Sequence, residues 1–492
     1  MQARMKWWGG VSLVAALLLV GCGSSTSPAG PERDAGTQVD AGNPGDAGVT
    51  GDAGTPDSGV AEALPCEKTQ GVCAGAKRAM VDGAYEPVCT ARSYGADYEA
   101  TETRCDGLDN DCDGLTDPAT WAEVDSLGTP PHRGIVDSLP VPGGFLVATV
   151  AGSDTIQVRR LDESLRLQAV LQVPVAPGLD PITSVSLVRT ARGPALVYVG
   201  RYVTSDGGSR LLLVQLDEQG NPMGPAGGTV IFEHYHVTVA ARVAASRDGQ
   251  QLGVFWSSTS NAKEALGLVV DLDGRGVSGP WIVFLTKEEQ VTLSTPTAVG
   301  LEDGGFLVMV VEDHGIGQPS RIQLWRYDGR LSSATESRVL DVGNSPTAML
   351  VGDEPSLLYR ETSVRPSPLK QLQSVFKSPV PETLVSTTEG EVPWFGATMT
   401  SRGLQMAWLS ERNVTPQGAD DTLFNWEGRF WTRGPNGTAK DQSPGPQPMP
   451  LHRYSQWVLM HELPGHWMGA LLMTATEKPQ AYTLQSVRYC AQ

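Results

Sequence analysis

The sequence predicts an all-β protein whose body is a seven-bladed β-propeller, and two periodic signals predict it. The first is a glycine or turn residue followed by a short apolar run. It occurs at Gly144-Phe-Leu-Val147, Pro194-Ala-Leu-Val197, Gln251-Leu-Gly-Val254, Gly305-Phe-Leu-Val308, Pro355-Ser-Leu-Leu358, Gly403-Leu-Gln-Met406 and Trp467-Met-Gly-Ala470. Those seven copies lie 48 to 64 residues apart. The second signal is a polar turn after an alternating strand pattern, beginning at Asp162, Asp217, Asp273 and Asp328, at intervals of 55, 56 and 55 residues. Polar Asp-Gly-like turns between alternating segments are hairpin signals. Short strands, turn punctuation and a period near 50 give one four-stranded sheet per repeat. A pair of β-sandwiches is the competing architecture, but nothing in a sandwich demands a constant phase.

Four segments follow in order. In residues 1–22, Arg4 and Lys6 precede an apolar run from Val11 to Val20 that is too short to span a bilayer as a mature helix. The run ends in Leu19-Val20-Gly21-Cys22, which resembles the bacterial lipobox. That resemblance implies cleavage before Cys22, a diacylglycerol on its sulfur, and an anchored cell-envelope protein. Gly23, by the same resemblance, gives no inner-membrane retention signal and points to the outer membrane. Residues 23–64 contain no Lys and one Arg, and Asp-Ala-Gly recurs there at Asp34, Asp40, Asp46 and Asp52. A stretch with so little to bury reads as a disordered tether, with an r.m.s. span of about 35 Å.

Residues 65–120 hold Cys66, Cys73, Cys89, Cys105 and Cys112. In an exported chain such clustering staples a module too small for its own core. Zinc competes poorly, since the module has no C-x-x-C pair and no His. Five cysteines cannot all pair among themselves, so the odd one is expected to join Cys490 and clasp the two ends of the propeller. Such a bridge encloses nearly the whole body, worth roughly 5 kcal/mol of chain entropy. Cys105 and Cys112, with six residues between them, are the choice for a local bridge. Between and beyond them, Asp109, Asp111 and Asp113 alternate ahead of Gly114, with Asp117 three residues on. Carboxylates at alternate positions of a tight loop suit a hard cation such as Ca²⁺, for structure rather than chemistry. No EF-hand fits, because Thr120 stands where the bidentate Glu belongs and Pro118 stops a following helix. The loop looks more like those of thrombospondin type 3 repeats.

Gly71-Val-Cys-Ala-Gly75, Tyr94-Gly-Ala-Asp-Tyr-Glu99 and the run 102–117 together resemble the MopE-type metal-binding motif, a cysteine-rich module of bacterial surface and secreted proteins. The match covers about a tenth of the chain. It departs from the family pattern at Pro118, beside the last acidic ligand, and at Met80, near which related modules often carry a further Cys. No His constellation here matches the copper site of that family.

Residues 121–492 form the propeller. Its last repeat lacks a fourth strand, which Trp121-Ala-Glu-Val124 is placed to supply. Three motifs invite catalytic readings and fail them. His461 and His466 are five residues apart with Pro464 and Gly465 between, whereas a zincin needs four on one helix face. Gly274-x-Gly276-x-x-Gly279 leads into the strand-like Pro280-Trp-Ile-Val-Phe284 rather than a helix, so it reads as a hairpin turn. Trp256, Trp325 and Trp408 fall in repeated strands, where core packing accounts for them.

With 37 Lys+Arg against 55 Asp+Glu and a net charge of -18, a nucleic-acid partner is excluded. The sequence thus reads as a lipid-anchored, non-catalytic propeller that binds an extracytoplasmic protein or polysaccharide. Variable loops after the apolar runs, within 202–209, 312–319 and 411–421, would face the ligand. An exported glycan hydrolase or lyase and a structural adhesin are the alternatives. Paired carboxylates near the central channel would favour the enzyme.

Overall fold

The computed structural model describes residues 63–492 except 115, 117–121, 129–135, 204–207, 235–237, 259–262, 316–317, 352, 365–366, 378–379, 386–393, 401–402, 413–424, 434–438, 441–455, 476–481 and 491–492. The signal segment with Cys22, the tether, Asp117 and Trp121 lie outside the described residues, as does most of the 411–421 loop. No helix among the described residues is long and apolar enough to cross a membrane.

The described chain is a β-propeller arrangement of antiparallel meanders. Seven sheets of four or five strands follow one another, beside a two-stranded hairpin in the cysteine module. The first sheet comprises Val136–Val141, Gly144–Val150, Ile156–Leu161 and Leu167–Val173. The first, inner strands of the sheets touch in succession: Val136–Val141, Leu179–Thr190, Thr238–Ala245, Thr297–Gly300, Asn344–Val351, Trp394–Thr400 and Gln456–Glu462. Gln456–Glu462 then touches Val136–Val141 again.

Each apolar run of the sequence is a second strand, and its position explains its composition. In Gly144–Val150 every residue is buried. Alternate side chains leave opposite faces of a strand. Leu146, Ala148 and Val150 pack with Val185, Leu187 and Leu196 of the second sheet, while Phe145 and Val147 pack with Leu471 and Met473 of the last. A strand sandwiched on both faces has no polar side to show. Each fully buried Leu or Val adds roughly 1.5–3 kcal/mol, so these strands supply much of the core. Trp256 is fully buried in the same manner, and Trp325 packs half-buried at 4.7 Å from Phe284. The Trp408 side chain lies outside the described residues.

The Asp turns join the third and fourth strands. Asp162 Oδ1 accepts from the N–H groups of Ser164 and Arg166, and Asp217 Oδ1 from those of Gln219 and Asn221. Asp328 Oδ1 does the same with Arg330 and Ser332. In the third sheet the residue so placed is Asp271, not Asp273: its Oδ1 accepts from the N–H groups of Asp273 and Arg275. The expected phase is therefore off by two residues there, and Asp273 instead pairs with Arg192 at 2.5 Å. Three residues after each capping Asp the backbone turns left-handed, at Leu165, Gly220, Gly274 and Leu331. Such a residue closes the common longer hairpin loops. Leu165 and Leu331 accept this unfavourable φ while burying their side chains, at 0 % and 2 % exposure. A Cβ added at Gly469 would stand 2.5 Å from Leu165, and one at Gly267 would stand 2.9 Å from Leu331. Each turn thus leans on the sheet before it.

The ring closes at the chain ends. Ala122–Ser126 pairs with Tyr482–Cys490 as the outermost strand of the last sheet, supplying the missing fourth strand. Cys490 is bonded to Cys105, 385 residues away in sequence, so the expected clasp is present. The other bridges are Cys66–Cys89 and Cys73–Cys112. The expected local Cys105–Cys112 bridge is overturned, because the two residues sit in different cores. Cys105 packs with Leu127, Trp467 and Cys490, whereas Cys112 packs with Cys66, Cys73 and Tyr94. The Val72 N–H donates to the Asp109 carbonyl at 3.1 Å, which draws the acidic loop onto Gly71–Cys73 and sets Cys112 beside Cys73.

Inner strands have one unpaired edge, and neighbouring sheets satisfy it. Asp137 accepts from the Leu187 N–H at 2.7 Å and from Ser186 Oγ at 3.1 Å, and Ser184 Oγ accepts from the Ala241 N–H at 3.0 Å. Between the last and first sheets, Ser138 Oγ and His461 Nε2 share a hydrogen bond at 2.6 Å. The segment after His461 is a single turn, Pro464–His466, leading into Trp467–Ala475, as its Pro-Gly pair suggests.

Two outcomes follow. Non-reducing peptide mapping should return the Cys66–Cys89, Cys73–Cys112 and Cys105–Cys490 pairs, and Cys490→Ser should cost up to roughly 5 kcal/mol by loop entropy. A Cys105–Cys112 peptide would contradict this arrangement. Burial also pushes His461 down to about 4. Between about pH 6.5 and that value the unfolded chain binds a proton that the folded chain refuses. This stability is complete above about pH 6.5 and falls by about 3 kcal/mol as pH drops toward 4. Denaturant unfolding of His461→Gln should lose that slope. Asp137, pushed up by burial, titrates in the opposite sense in both proteins, so the difference isolates His461. An unchanged slope would refute the assignment.

Candidate functional site

Two regions gather polar chemistry. The first is the acidic loop of the cysteine module. Glycine lets it dock: a Cβ on Gly71 would stand 2.2 Å from the Asp109 carbonyl oxygen, and one on Gly114 would stand 2.2 Å from Gln70 Oε1. Asp109 is buried, and its two carboxylate oxygens accept from the Asp113 N–H at 3.1 Å and the Gly114 N–H at 3.0 Å. Asn110, also buried, donates from its backbone N–H to Glu102 Oε2 at 2.7 Å and from its side chain to the Asp97 carbonyl at 2.7 Å. Its Oδ1 is buried without a hydrogen-bond partner among the described residues. Lys68 Nζ donates to the Asp111 carbonyl at 2.5 Å, bringing a cation to the loop's edge.

Of the expected ligands, Asp109 and Asp111 come together, with carboxylate oxygens within 4.8 Å of one another and of Glu102. Asp113 is exposed and outside this trio, and its backbone N–H donates to Asp109 Oδ1 and Asp111 Oδ1. Asp117 lies outside the described residues. Glu102 was not foreseen. The signal for it is an acid three residues before Cys105, on the segment that the Asn110 N–H fixes against the loop. Calcium takes oxygen ligands at about 2.3–2.6 Å, so oxygens on opposite sides of one ion stand about 4.8 Å apart. Three hard oxygens at this spacing fit that ion. Among the described residues no thiolate joins them, since all six cysteines described are in disulfides.

The second region is the side of the propeller reached by the ends of the second strands. The capping Asp turns sit at the other end of the strands. In the second sheet Tyr202 Oη donates to Glu233 Oε1 at 3.0 Å, and Arg210 Nε meets the same oxygen at 2.5 Å. Hydrogen bonds from Tyr202 and Arg210 hold Glu233 below the usual carboxylate range. In the fourth sheet Gln323 Nε2 donates to the buried Glu312 at 2.8 Å, with His314 4.0 Å from Glu312 and 3.6 Å from Glu288. In the fifth, Lys370 pairs with Glu361 at 2.6 Å. These three sheets therefore offer three different constellations here, whereas the four Asp turns opposite repeat one geometry.

On the inner strand of the first sheet, the Asp137 carboxylate accepts from the Leu187 and Ser138 N–H groups and from Ser186 Oγ, so its neighbours already occupy it.

No family profile and no curated protein matches the sequence. Among solved structures the chain is similar to a protein of unknown function from Dyadobacter fermentans (11% identity, 75% of this chain and 99% of that one, TM-score 0.42). It is also similar to the Dos1 propeller (11%, 73% and 81%, TM-score 0.40) and to an α-L-arabinanase of Penicillium chrysogenum (10%, 75% and 99%, TM-score 0.39). At these scores the likeness says nothing of ligand or activity.

Proposed function

We propose that this chain is a lipid-anchored cell-envelope protein whose propeller binds an extracytoplasmic protein or polysaccharide without catalysis. The observation that carries the reading is the contrast between the two ends of the strands. One end repeats an Asp-capped turn, and the other carries constellations that differ from sheet to sheet on a rigid frame, which is where binding usually sits. Commitment of Asp137 to its neighbours favours binding over glycan cleavage, which uses two carboxylates flanking the scissile bond. We read the seven sheets as seven blades of one ring; the round of contacts between inner strands supports that count. Cys22 carries the anchor, and residues 23–64 are the tether.

The cysteine module, on this reading, is of the MopE type and holds Ca²⁺ through Glu102, Asp109 and Asp111. Asp113 and Asp117 lie close in sequence but are not needed for the trio. The ion would neutralise three crowded carboxylates and order a module with little core. Calorimetry of the intact chain should show Ca²⁺ uptake that Asp111→Ala and Glu102→Gln abolish and Asp113→Ala leaves within a few-fold. No heat at about millimolar Ca²⁺, the weak end of the range for extracellular modules, would leave a disulfide-stapled loop without an ion.

Panels of polysaccharides and of extracytoplasmic proteins test the binding role. A ligand lost on exchange of Glu233, His314 and Lys370, but kept on exchange of Gln219 and Arg330, is the expected result. A ligand that instead follows the turns at Asp217 and Asp271 would overturn the loop-side assignment.

A further inference from the structure

At the turn end of the strands, where the inner strands of the second to fifth sheets stop, the surface sinks into a recess of about 440 Å³. Short apolar side chains, Ala244, Ala298, Val299 and Leu350, make up part of its lining. A Cβ on Gly300 would stand 2.0 Å from the Ala245 carbonyl oxygen, so the inner strands of the third and fourth sheets meet here with no side chain between them. Two arginines border the recess. Arg189 is committed, pairing with Glu218 at 2.6 Å and donating to the Pro140 carbonyl at 3.0 Å. Arg247 is not: among the described residues it meets one carboxylate, Asp353, at 3.9 Å, with the two side chains 49% and 62% exposed. That pair reaches from the turn of the third sheet to the turn of the fifth, across the end of the fourth. The other acid at the rim, Asp248, is occupied by its own turn, accepting from Ser246 Oγ at 2.6 Å and the Gln250 N–H at 3.0 Å.

We propose that this recess binds a small carboxylate bearing a short aliphatic group, with Arg247 exchanging Asp353 for the ligand. A guanidinium presents a planar fork that matches a carboxylate in a way an exposed, 3.9 Å side-chain pair does not use. Giving up such a pair costs little, since exposed ion pairs are worth about 0–1 kcal/mol. The alanine and valine side chains of the lining would receive a methyl or isopropyl group. The volume lies at the small end of ligand pockets, about 300–1,000 Å³. Among the described residues no aromatic ring lines the recess, which disfavours a sugar acid. The net charge of -18 repels anions at long range, but beyond about 8 Å that field is screened at physiological salt. This chemistry belongs to a free aliphatic acid and to the C-terminal residue of a peptide alike. The site lies at the opposite end of the strands from the loop side and does not rest on the function proposed there.

Titration of the intact chain with N-acetylalanine, N-acetylalaninamide, acetyl-trialanine and glucuronate, followed by calorimetry or ligand-observed NMR, tests the inference. N-acetylalanine should bind saturably, and the amide about tenfold or more weaker, the factor expected from losing about 1.4 kcal/mol. Arg247→Gln should weaken N-acetylalanine by a similar factor. Asp353→Asn should tighten it, because the competing carboxylate is gone. Tighter binding of acetyl-trialanine assigns the site to peptide C-termini, and equal binding assigns it to small acids; either supports the proposal. Equal binding of acid and amide, indifference to Arg247→Gln, weakening by Asp353→Asn, preference for glucuronate, or no saturable binding would each overturn it.

Discussion

The ring is shut at one seam, where the first body strand pairs with the last and a covalent bond ties the same two stretches of chain together. Ala122–Ser126 lies against Tyr482–Cys490, and Cys490 is bonded to Cys105 just upstream of Ala122. Without this closure the last sheet would keep a bare outer edge, and the interface it shares with the first sheet would rest on side chains alone. Those include Leu165 and Phe145 against Leu471 and Met473, together with the hydrogen bond between Ser138 and His461. A meander contributes mainly local pairings, which close short loops cheaply. Closing the ring brings together residues more than 360 apart, and the disulfide limits how far they can separate in the unfolded chain.

Between sheets, cohesion is built from a repeated small device. A carboxylate gathers two backbone N–H groups, the loop turns left-handed three residues later, and that residue presses on the preceding sheet. Where the residue is leucine, burial offsets the backbone cost; where it is glycine, the neighbour comes closer. A Cβ on Gly220 would stand 2.9 Å from Val158 of the first sheet. This device fixes one end of every strand that carries it and leaves the other end free to vary, so the loop side can change its chemistry without loosening the frame.

Much of this was legible in the sequence, for physical reasons. Second strands are buried on both faces, so they appear as unbroken apolar runs, and their recurrence gives the propeller arrangement. The clasp followed from an odd cysteine count. Pairing within the module did not, because spacing cannot tell that Cys105 belongs to the propeller core and Cys112 to the module core. The two-residue slip from Asp273 to Asp271 has a similar origin: Val-Asp-Leu-Asp-Gly offers two acids, and only the hydrogen bonds of the closed loop choose between them. Glu102 was missed because an acid outside the acidic run leaves no periodic trace, whereas Asp113, in perfect alternation, is exposed and outside the trio.

Hydrogen exchange across the last sheet tests the central role of closure most directly. In the oxidised protein the amides of Trp467–Ala475 and Tyr482–Cys490 should exchange as slowly as those of the buried strand Gly144–Val150. After selective reduction of Cys105–Cys490 they should exchange first, with the strand Ala122–Ser126, while the third and fourth sheets stay protected. Protection of the last sheet that is the same before and after reduction would contradict the claim that the ring is held at this seam.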